Sequence, residues 1–495
     1  MKILQGNFTG RNRRRTEKLK PGDTIAYLET AAEAIAARIA STVGQENELL
    51  FMIGRGYNGS NGLSVARMLS EAGFNCEVIL VYGKEEMCEE CLTNLERLPS
   101  SVPVLQGYDK IPITPDAVII DAILGIGTKG AVKNPARTII RAMNVTGCRV
   151  ISIDIPSGMN VDFDNDPDEI VHATETITID FPKLAMLLPE AGECCGDLTV
   201  VDTGVYDKLL NSEPSDYHYA DSKLIGGLIR PRTKFSSKDD FGHALLVCGS
   251  VTMTGAAILS TAGALRSGCG RVTTHLPQGE SYAIHINCPS AMVSNDPEDC
   301  FSTVPEKLER FTVCGVGCGV GRGKYTVSAL KQLMEEFGRP MVLDADALNI
   351  IASNPGLRSK VPAGSVLTPH KREFERLVGV WSDERQKHEL LRALAVELNS
   401  TVILKGFRTM ICMDDGRIFI NGTGTAGLAT GGSGDVLTGL ITGLGARGYP
   451  MKQAAVIGVY LHGLAGEKTA DYYGIEAMNS SDIVDFIGEA FSEVG

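Results

Sequence analysis

Short apolar runs, each closed by a glycine or an acid, alternate with segments of helical spacing along most of this chain. Leu49 to Ile53 runs into glycines, and Leu63-Ser-Val-Ala-Arg-Met-Leu-Ser-Glu-Ala follows with helical spacing. The runs from Cys76 to Tyr82, Ala117 to Asp121 and Arg149 to Asp154 repeat the arrangement. Runs that are apolar throughout are strands covered on both faces, and strand–helix alternation implies a parallel sheet. Ligands of such sheets sit at the carboxyl ends of strands. Gly54, Asp121 and Asp154 fall there. The alternation lapses from about Tyr206 to Asp221, a polar, aperiodic stretch that reads as a linker. It restarts at Ala244–Cys248 and continues through Arg271–His275, Phe311–Cys314, Pro340–Asp344, Ser365–Thr368 and Thr401–Lys405. A chain of 495 residues exceeds what one core usually supports. Two α/β domains are expected, over 1–215 and 222–495.

The segment Thr423 to Leu437, TGTAGLATGGSGDVL, carries the sharpest chemical signal. Gly427, Gly431, Gly432 and Gly434 let backbone approach a ligand without Cβ obstruction. Val436 onward has helical spacing, so the turn presents free N–H groups and a positive dipole end to an anion. Asp435 would repel a phosphate held there. It is expected to act as a base on a hydroxyl beside that phosphate, and the alternative is an ordinary N-cap. Other strand ends add chemistry. Lys405 closes a strand into Gly406 and can meet phosphate as a point charge. Asp344 and Asp346 with Asn349, His370 with Glu373, and the glycines from Gly315 to Gly321 close three more.

In chain order, DFGHALLVCGS from Asp240, MTGAAILSTAGALRSGCGRVT, PSAMV, VLDADALN, LTPHKREFERL, VILKG and GTAGLATGGSGDVLTGLITGL resemble the ADP/ATP-dependent NAD(P)H-hydrate dehydratases. That resemblance implies a ribokinase-like fold for the second domain. It implies phosphorylation of the hydrate's ring hydroxyl, loss of phosphate and recovery of NAD(P)H. By motif, Asp435 would activate the hydroxyl. Lys405, Gly406, Phe407, Arg408, Thr409 and Gly434 would bind ADP or ATP, with Mg²⁺ expected. Ala256, Gly317 and His370 would contact the hydrate. Asn349 and Glu373 would take a supporting metal or water role. Lys371 stands where the family often has Pro, and Gly315-Val-Gly-Cys-Gly replaces Gly-Pro-Gly-Leu-Gly.

The first domain carries a second glycine loop, Gly54-Arg-Gly-Tyr-Asn-Gly-Ser-Asn-Gly62, between a strand and a helix. Asn58, Asp121 and Ser157 offer oxygen ligands only, a set that suits a hard cation and not zinc. Asp154 is placed to serve as an acid/base, and helix capping is the alternative for both acids. These segments, with ISIDIPSGMN and TITIDFPK, resemble the NAD(P)H-hydrate epimerases. The resemblance implies a Rossmann-like three-layer domain that interconverts R and S hydrates. By motif, Asn58, Asp121 and Ser157 would hold K⁺. Tyr57, Asn58, Gly59, Ser60, Asn61, Asp154 and the run Gly125, Ile126, Gly127, Thr128, Lys129, Gly130, Ala131 would line the substrate site. The family loop is usually Gly-x-Gly-Asn-Asn-Gly-Gly-Asp-Gly. Here Tyr57 replaces an Asn, Ser60 a Gly and Asn61 the Asp, so a carboxylate becomes an amide and a Cβ is added where backbone approaches ligand. Binding is expected to survive while turnover falls.

Composition limits the partners. The formal net charge of −13 argues against general nucleic-acid binding. Arg11, Arg13, Arg14, Arg15, Lys18 and Lys20 read as a solvated arm, with an RNA or anionic-surface contact as the alternative. Thirteen scattered cysteines without a disulfide pattern point to reduced thiols and a cytoplasmic protein. Cys88-Glu-Glu-Cys91 lacks a second pair at zinc spacing. No window has the length of a membrane span, and no signal-peptide core opens the chain. A homo-oligomer is expected. The competing reading is a small-metabolite kinase of the same fold, with the first domain as a binding or oligomerisation module.

Overall fold

The structure is a computed structural model and describes residues 1–6, 24–107, 114, 116–204 and 214–495. The basic arm between Arg11 and Lys20 lies outside the described residues, as does the first half of the expected linker. The chain forms two compact units, 2–217 and 218–495, with Met1 counted in the second.

In the first unit, strands β1 (Glu48–Ile53), β2 (Asn75–Leu80), β3 (Val104–Gln106), β4 (Val118–Ala122), β5 (Arg149–Ile153), β6 (Glu175–Ile179) and β7 (Asp197–Val201) pair in parallel in the order 3-2-1-4-5-6-7. The two-residue period of the strands divides the core. Leu49, Phe51 and Ile53 pack with Ala31, Ile35 and Ile39 of helix α1 (Thr24–Thr42) and Leu63 of α2 (Tyr57–Glu71). Met52, Ile79 and Ile119 face the other way, onto Ile139, Ile140 and Met143 of the helix Ala136–Asn144. Helices on both faces make three layers. The strand order reverses between β1 and β4, which opens a crevice at their carboxyl ends. Gly54 and Asp121 stand at its two sides.

The second unit is built on strands β8 (Tyr217–Ala220), β9 (His243–Val247), β10 (Arg271–Pro277), β11 (Met292–Asp296), β12 (Val313–Val316), β13 (Met341–Leu343), β14 (Val366–Leu367), β15 (Thr401–Leu404), β16 (Met410–Cys412) and β17 (Ile418–Asn421), in the order 8-17-16-15-14-13-12-9-10-11. Pairing is parallel from β15 through β9 to β11, and antiparallel between β15, β16 and β17. Here the reversal lies between β9 and β12, beside Gly315 and Gly317.

One expectation fails at the start of this unit. The polar stretch read as linker is structured at its end: Tyr217–Ala220 is the strand β8, and Ser222–Leu228 is a helix. Asp221 caps that helix by accepting from Leu224 N at 2.7 Å. Inward Tyr217 and Ala220 supply the burial, a signal too short to stand out from polar neighbours.

Two helices bring the phosphate turn into place. The helix α3 (Thr254–Arg266) packs on α4 (Ser433–Ala446) with backbones almost touching. A Cβ on Gly439 would lie 1.9 Å from Ser260 O, and one on Gly263 would lie 2.3 Å from Val436 O. The repeated TGL of the sequence therefore serves helix contact as well as ligand approach.

Candidate active sites

In the second unit, α4 begins at Gly432, whose φ of 94° only glycine adopts readily. Gly432 is the N-cap, so Asp435 is the third residue of the helix, inside its first turn. The N-cap alternative for Asp435 is thereby excluded. At the helix end Ser433 N donates to Thr430 O at 3.4 Å and Asp435 N to Gly432 O at 3.0 Å, which leaves Gly434 N as the first-turn amide open to a ligand. Lys405 closes β15 and brings its charge to the same place. A Cβ on Gly434 would sit 3.1 Å from Lys405 Nζ. A free amide, a helix N-terminus and an ammonium converge there, an arrangement that holds a phosphate.

Asp344, at the end of β13, organises this cluster. Lys405 Nζ donates to its Oδ1 at 2.9 Å, and Thr438 Oγ1 of α4 donates to its Oδ2 at 2.7 Å. Burial opposes the Asp344 charge, but the Lys405 ammonium and these hydrogen bonds outweigh it and hold its pKa below the usual carboxylate value. Burial likewise opposes the Lys405 charge, and the Asp344 carboxylate outweighs it, so Lys405 stays a cation. Asp435 behaves differently. Burial, and then repulsion from Asp344, push its pKa up to about 6, against a thiol bond from Cys318 and the attraction of Lys405. A carboxylate poised near neutrality beside a phosphate site is suited to take a proton from a hydroxyl.

The remaining predicted residues fall around this cluster with different duties. Gly317 has φ 128°, and a Cβ there would strike Asp344 O at 2.0 Å, so the loop after β12 can lie flat on β13 only with glycine. The neighbouring Gly319 seats on Met253 and Ala256 at the start of α3. His370 caps the helix Lys371–Val378, its Nδ1 accepting from Arg372 N at 3.1 Å while Glu373 accepts from His370 N at 2.9 Å. The two residues expected in supporting roles are held by local bonds. Glu373 is buried as the other half of that capping box, and Asn349 Oδ1 accepts from the Arg376 guanidinium at 2.6 Å. Lys371 Nζ lies over the Trp381 ring.

Within the segment Lys405 to Thr409, Arg408 Nη1 donates to Gly422 O at 2.7 Å and so braces the turn between β15 and β17. Thr409 Oγ1 donates to Gly406 O at 2.9 Å. The segment presents backbone and the Phe407 ring, which is 69% exposed. Sequence reasoning named Asp344 only as one of several strand-end acids. It missed His462, a buried histidine on Met451–Tyr473 whose Nε2 lies 3.2 Å from Ser433 Oγ at the foot of the phosphate turn. Burial holds the His462 pKa down at about 4, so it stays neutral.

In the first unit, Asp121 at the end of β4 is fully buried. It accepts from Ser157 Oγ at 2.5 Å, Ser157 N at 2.8 Å and Ser152 Oγ at 2.8 Å. Burial nonetheless raises its pKa above the usual carboxylate value. Asn58 Nδ2 donates to Leu124 O and Ile153 O at 2.9 and 3.0 Å, and its buried Oδ1 has no hydrogen-bond partner. The buried Oδ1 of Asn61 is likewise unpartnered. Ser60 is buried, and its Oγ accepts from Asn94 Nδ2 at 2.9 Å. Tyr57 donates to Glu90 at 3.3 Å. Gly125 abuts Asn58, and from Ile126 to Ala131 the segment is a largely exposed loop.

The strand ends of this unit repeat one turn. β5 ends in Asp154-Ile-Pro-Ser157 and β6 in Asp180-Phe-Pro-Lys183. Both aspartates have left-handed backbone, φ 65° and 62°. Asp154 N donates to Ile177 O at 2.8 Å and Asp180 N to Val201 O at 2.7 Å. In each turn the residue after Pro reaches back to the acid of the preceding strand: Ser157 to Asp121, and Lys183 to Asp154. Sequence reasoning quoted both segments without seeing that they are one device used twice.

With this geometry in hand, the comparisons are consistent. A family model described as NAD(P)H-hydrate dehydratase matches residues 244–489, and one described as YjeF-related protein N-terminus matches 25–185. The chain is 32% identical to a bifunctional NAD(P)H-hydrate repair enzyme of Moorella thermoacetica, over 94% of this chain and 92% of that one. It is 29% identical to the enzyme of the same name from Coxiella burnetii, over 96% and 97%. Among solved structures, a ribokinase-like superfamily protein of Enterococcus faecalis superposes with a TM-score of 0.51 at 27% identity, covering 57% of this chain and 98% of that one.

Proposed function

This chain belongs to the bifunctional NAD(P)H-hydrate repair enzymes, and from that premise we propose how its two sites divide the work. The second unit, of ribokinase-like fold, dehydrates S-NAD(P)H-hydrate at the expense of ADP or ATP. The first, of Rossmann-like fold, epimerises the R and S hydrates. The observation that carries the dehydratase reading is the convergence of the α4 N-terminus, Lys405 and Asp435. The terminal phosphates lie on the amide of Gly434 and on Lys405. Asp435 takes the proton of the ring hydroxyl as that oxygen attacks the phosphorus. The nucleotide departs one phosphate shorter; phosphate then leaves with the ring oxygen as the adjacent ring carbon gives up a proton, and the double bond of NAD(P)H returns. Mg²⁺ would enter on the nucleotide phosphates. Cys318, whose sulfur lies within 4.8 Å of the Asp344 and Asp435 carboxylates, is too soft a donor to add to its hold.

In the first unit Asn58, Asp121 and Ser157 would hold K⁺. The fit rests on the unpartnered Oδ1 of Asn58 beside a buried carboxylate. The cation would neutralise Asp121 and fix the glycine loop. Asp154 supplies the acid/base function, and Asn61 offers its free amide oxygen to a substrate hydroxyl in place of the family's carboxylate. Epimerisation is therefore retained at reduced rate. Free thiols at all thirteen cysteines support a cytoplasmic location. No helix among the described residues is long and apolar enough to cross a membrane. Exposed Tyr282, Ile286 and Met292 beside the edge strand β11 support a homo-oligomer, which light scattering would check.

Product analysis separates this reading from a small-metabolite kinase. Incubation with S-NADH-hydrate and nucleotide should yield inorganic phosphate and NADH in equal amounts. A stable phosphorylated product would overturn the repair reading.

A further inference from the structure

We propose that Lys183 is a positioning residue of the epimerase site: it holds the Asp154 carboxylate by one oxygen and leaves the other to the substrate. The proposal rests on the reading of Asp154 as the acid/base. Lys183 follows Pro182 in the second of the two repeated turns, and its ammonium is almost completely buried. Nζ donates to Asp154 Oδ1, to Thr178 Oγ1 at 2.8 Å and to Ile179 O at 3.2 Å, so all three of its donors are used. Oδ1 of Asp154 also receives Ile179 N at 3.2 Å. Every donor that reaches this carboxylate reaches Oδ1. Oδ2 remains for proton transfer.

The backbone supports the same assignment. Asp154 holds a left-handed φ of 65°, which a residue with a Cβ adopts at a cost. The turn is fixed by Asp154 N on Ile177 O and Ile155 N on Ile153 O, both at 2.8 Å. That backbone aims the side chain across the end of β6, where Lys183 meets it. The parallel turn shows what is special here. Ser157, in the place equivalent to Lys183, meets the buried Asp121 with a neutral hydroxyl and leaves that acid for a cation. Lys183 meets Asp154 with a built-in ammonium, a cation supplied by the chain itself. The other charged group facing Lys183 is Asp180, which accepts from Thr203 Oγ1 at 2.7 Å and Tyr27 OH at 3.0 Å and is thus satisfied elsewhere. One sheet edge thereby gives its two acids different partners, hydroxyls and a backbone amide for Asp121 and an ammonium for Asp154.

The test uses the full chain with R-NADH-hydrate and an independent dehydratase in excess, so that NADH recovery reports epimerisation alone. Lys183→Met removes the charge and keeps the bulk. Its epimerisation kcat should fall about 100-fold with KM changed less than about threefold. The acid limb of its rate profile should move to higher pH, because an unneutralised buried carboxylate binds its proton more tightly. Lys183→Arg should recover part of the rate and return the acid limb toward wild type. Dehydration of S-hydrate by each variant should be unchanged, which confines the effect to the first unit, and an unchanged thermal unfolding transition of that unit shows it folded. If Lys183→Met fails to fold, the Lys183→Met/Asp154→Asn double variant decides the point: pairing predicts that it melts higher than either single variant, and additive losses contradict it. An inactive Asp154→Asn beside a Lys183→Met of normal rate and pH profile overturns the proposal and leaves Asp154 standing. A fully active Asp154→Asn overturns the underlying reading instead.

Discussion

Asp435 shows how one residue can serve chemistry against stability. Burial and the Asp344 charge raise its pKa from 3.8 to about 6. A carboxyl that binds its proton more tightly folded than unfolded loses stability as pH rises through that window, and the loss is complete above it. The shift corresponds to roughly 2–3 kcal/mol at most. Asp435→Asn should therefore raise the melting temperature of the second unit at pH 7.5 and change it little at pH 4, as scanning calorimetry would show. The same group predicts that kcat/KM for dehydration rises with pH through an inflection near 6 in the free enzyme. A flat profile from pH 5 to 8 would remove Asp435 as the base. Asn61 allows the opposite experiment. Its unpartnered amide oxygen is a neutral acceptor where the family has a charge, and a charged acceptor binds a hydroxyl more strongly by about 1 kcal/mol. Asn61→Asp should raise epimerisation about fivefold, measured with R-hydrate under excess dehydratase. Cys88 offers a third residue-scale check. Hydrogen bonding with Cys91 lowers its pKa to about 7, whereas burial raises Cys76, Cys194 and Cys412. Of these four, Cys88 should be the first alkylated by iodoacetamide at pH 7.5, by peptide mass spectrometry.

At the scale of elements, what the sequence discloses is periodicity and punctuation. Apolar runs such as Leu49–Ile53 and Ala244–Cys248 are strands because nothing polar interrupts them, and the glycines after them sit at the carboxyl ends where a ligand can reach. Asp435, Lys405, Asp121 and Asp154 were legible for that reason. Long-range pairings were not. Nothing local to Asp344 says that Lys405 and Thr438 will share it, because β13, β15 and α4 meet only through the sheet order. The linker reading failed over Tyr217–Ala220 because β8 is four residues long and gains its stability from β17, far away in sequence. Glycines carry two messages that a sequence cannot separate. Gly432 shapes the turn, whereas Gly439 lets α4 lie against α3. Gly439→Ala should cost about 1–3 kcal/mol, since its Cβ would press on Ser260 O. Urea unfolding would measure that loss. Unchanged stability would mean that the two helices can part without penalty.

The whole molecule combines two repair steps whose machinery is kept apart in sequence. Each unit has its own sheet, its own reversal of strand order and its own acid at the carboxyl edge. Activity should divide accordingly: Asp154→Asn should abolish epimerisation and spare dehydration, and Asp435→Asn the reverse. Loss of both activities in either variant would contradict independent sites. The most direct measurement is recovery of NADH absorbance from S-NADH-hydrate with ADP or ATP and Mg²⁺, comparing wild type with Asp435→Asn. Asp435 as the base predicts recovery by the wild type and a rate at least about 100-fold lower in the variant. Equal recovery by the two proteins would contradict the assignment of Asp435 at its centre.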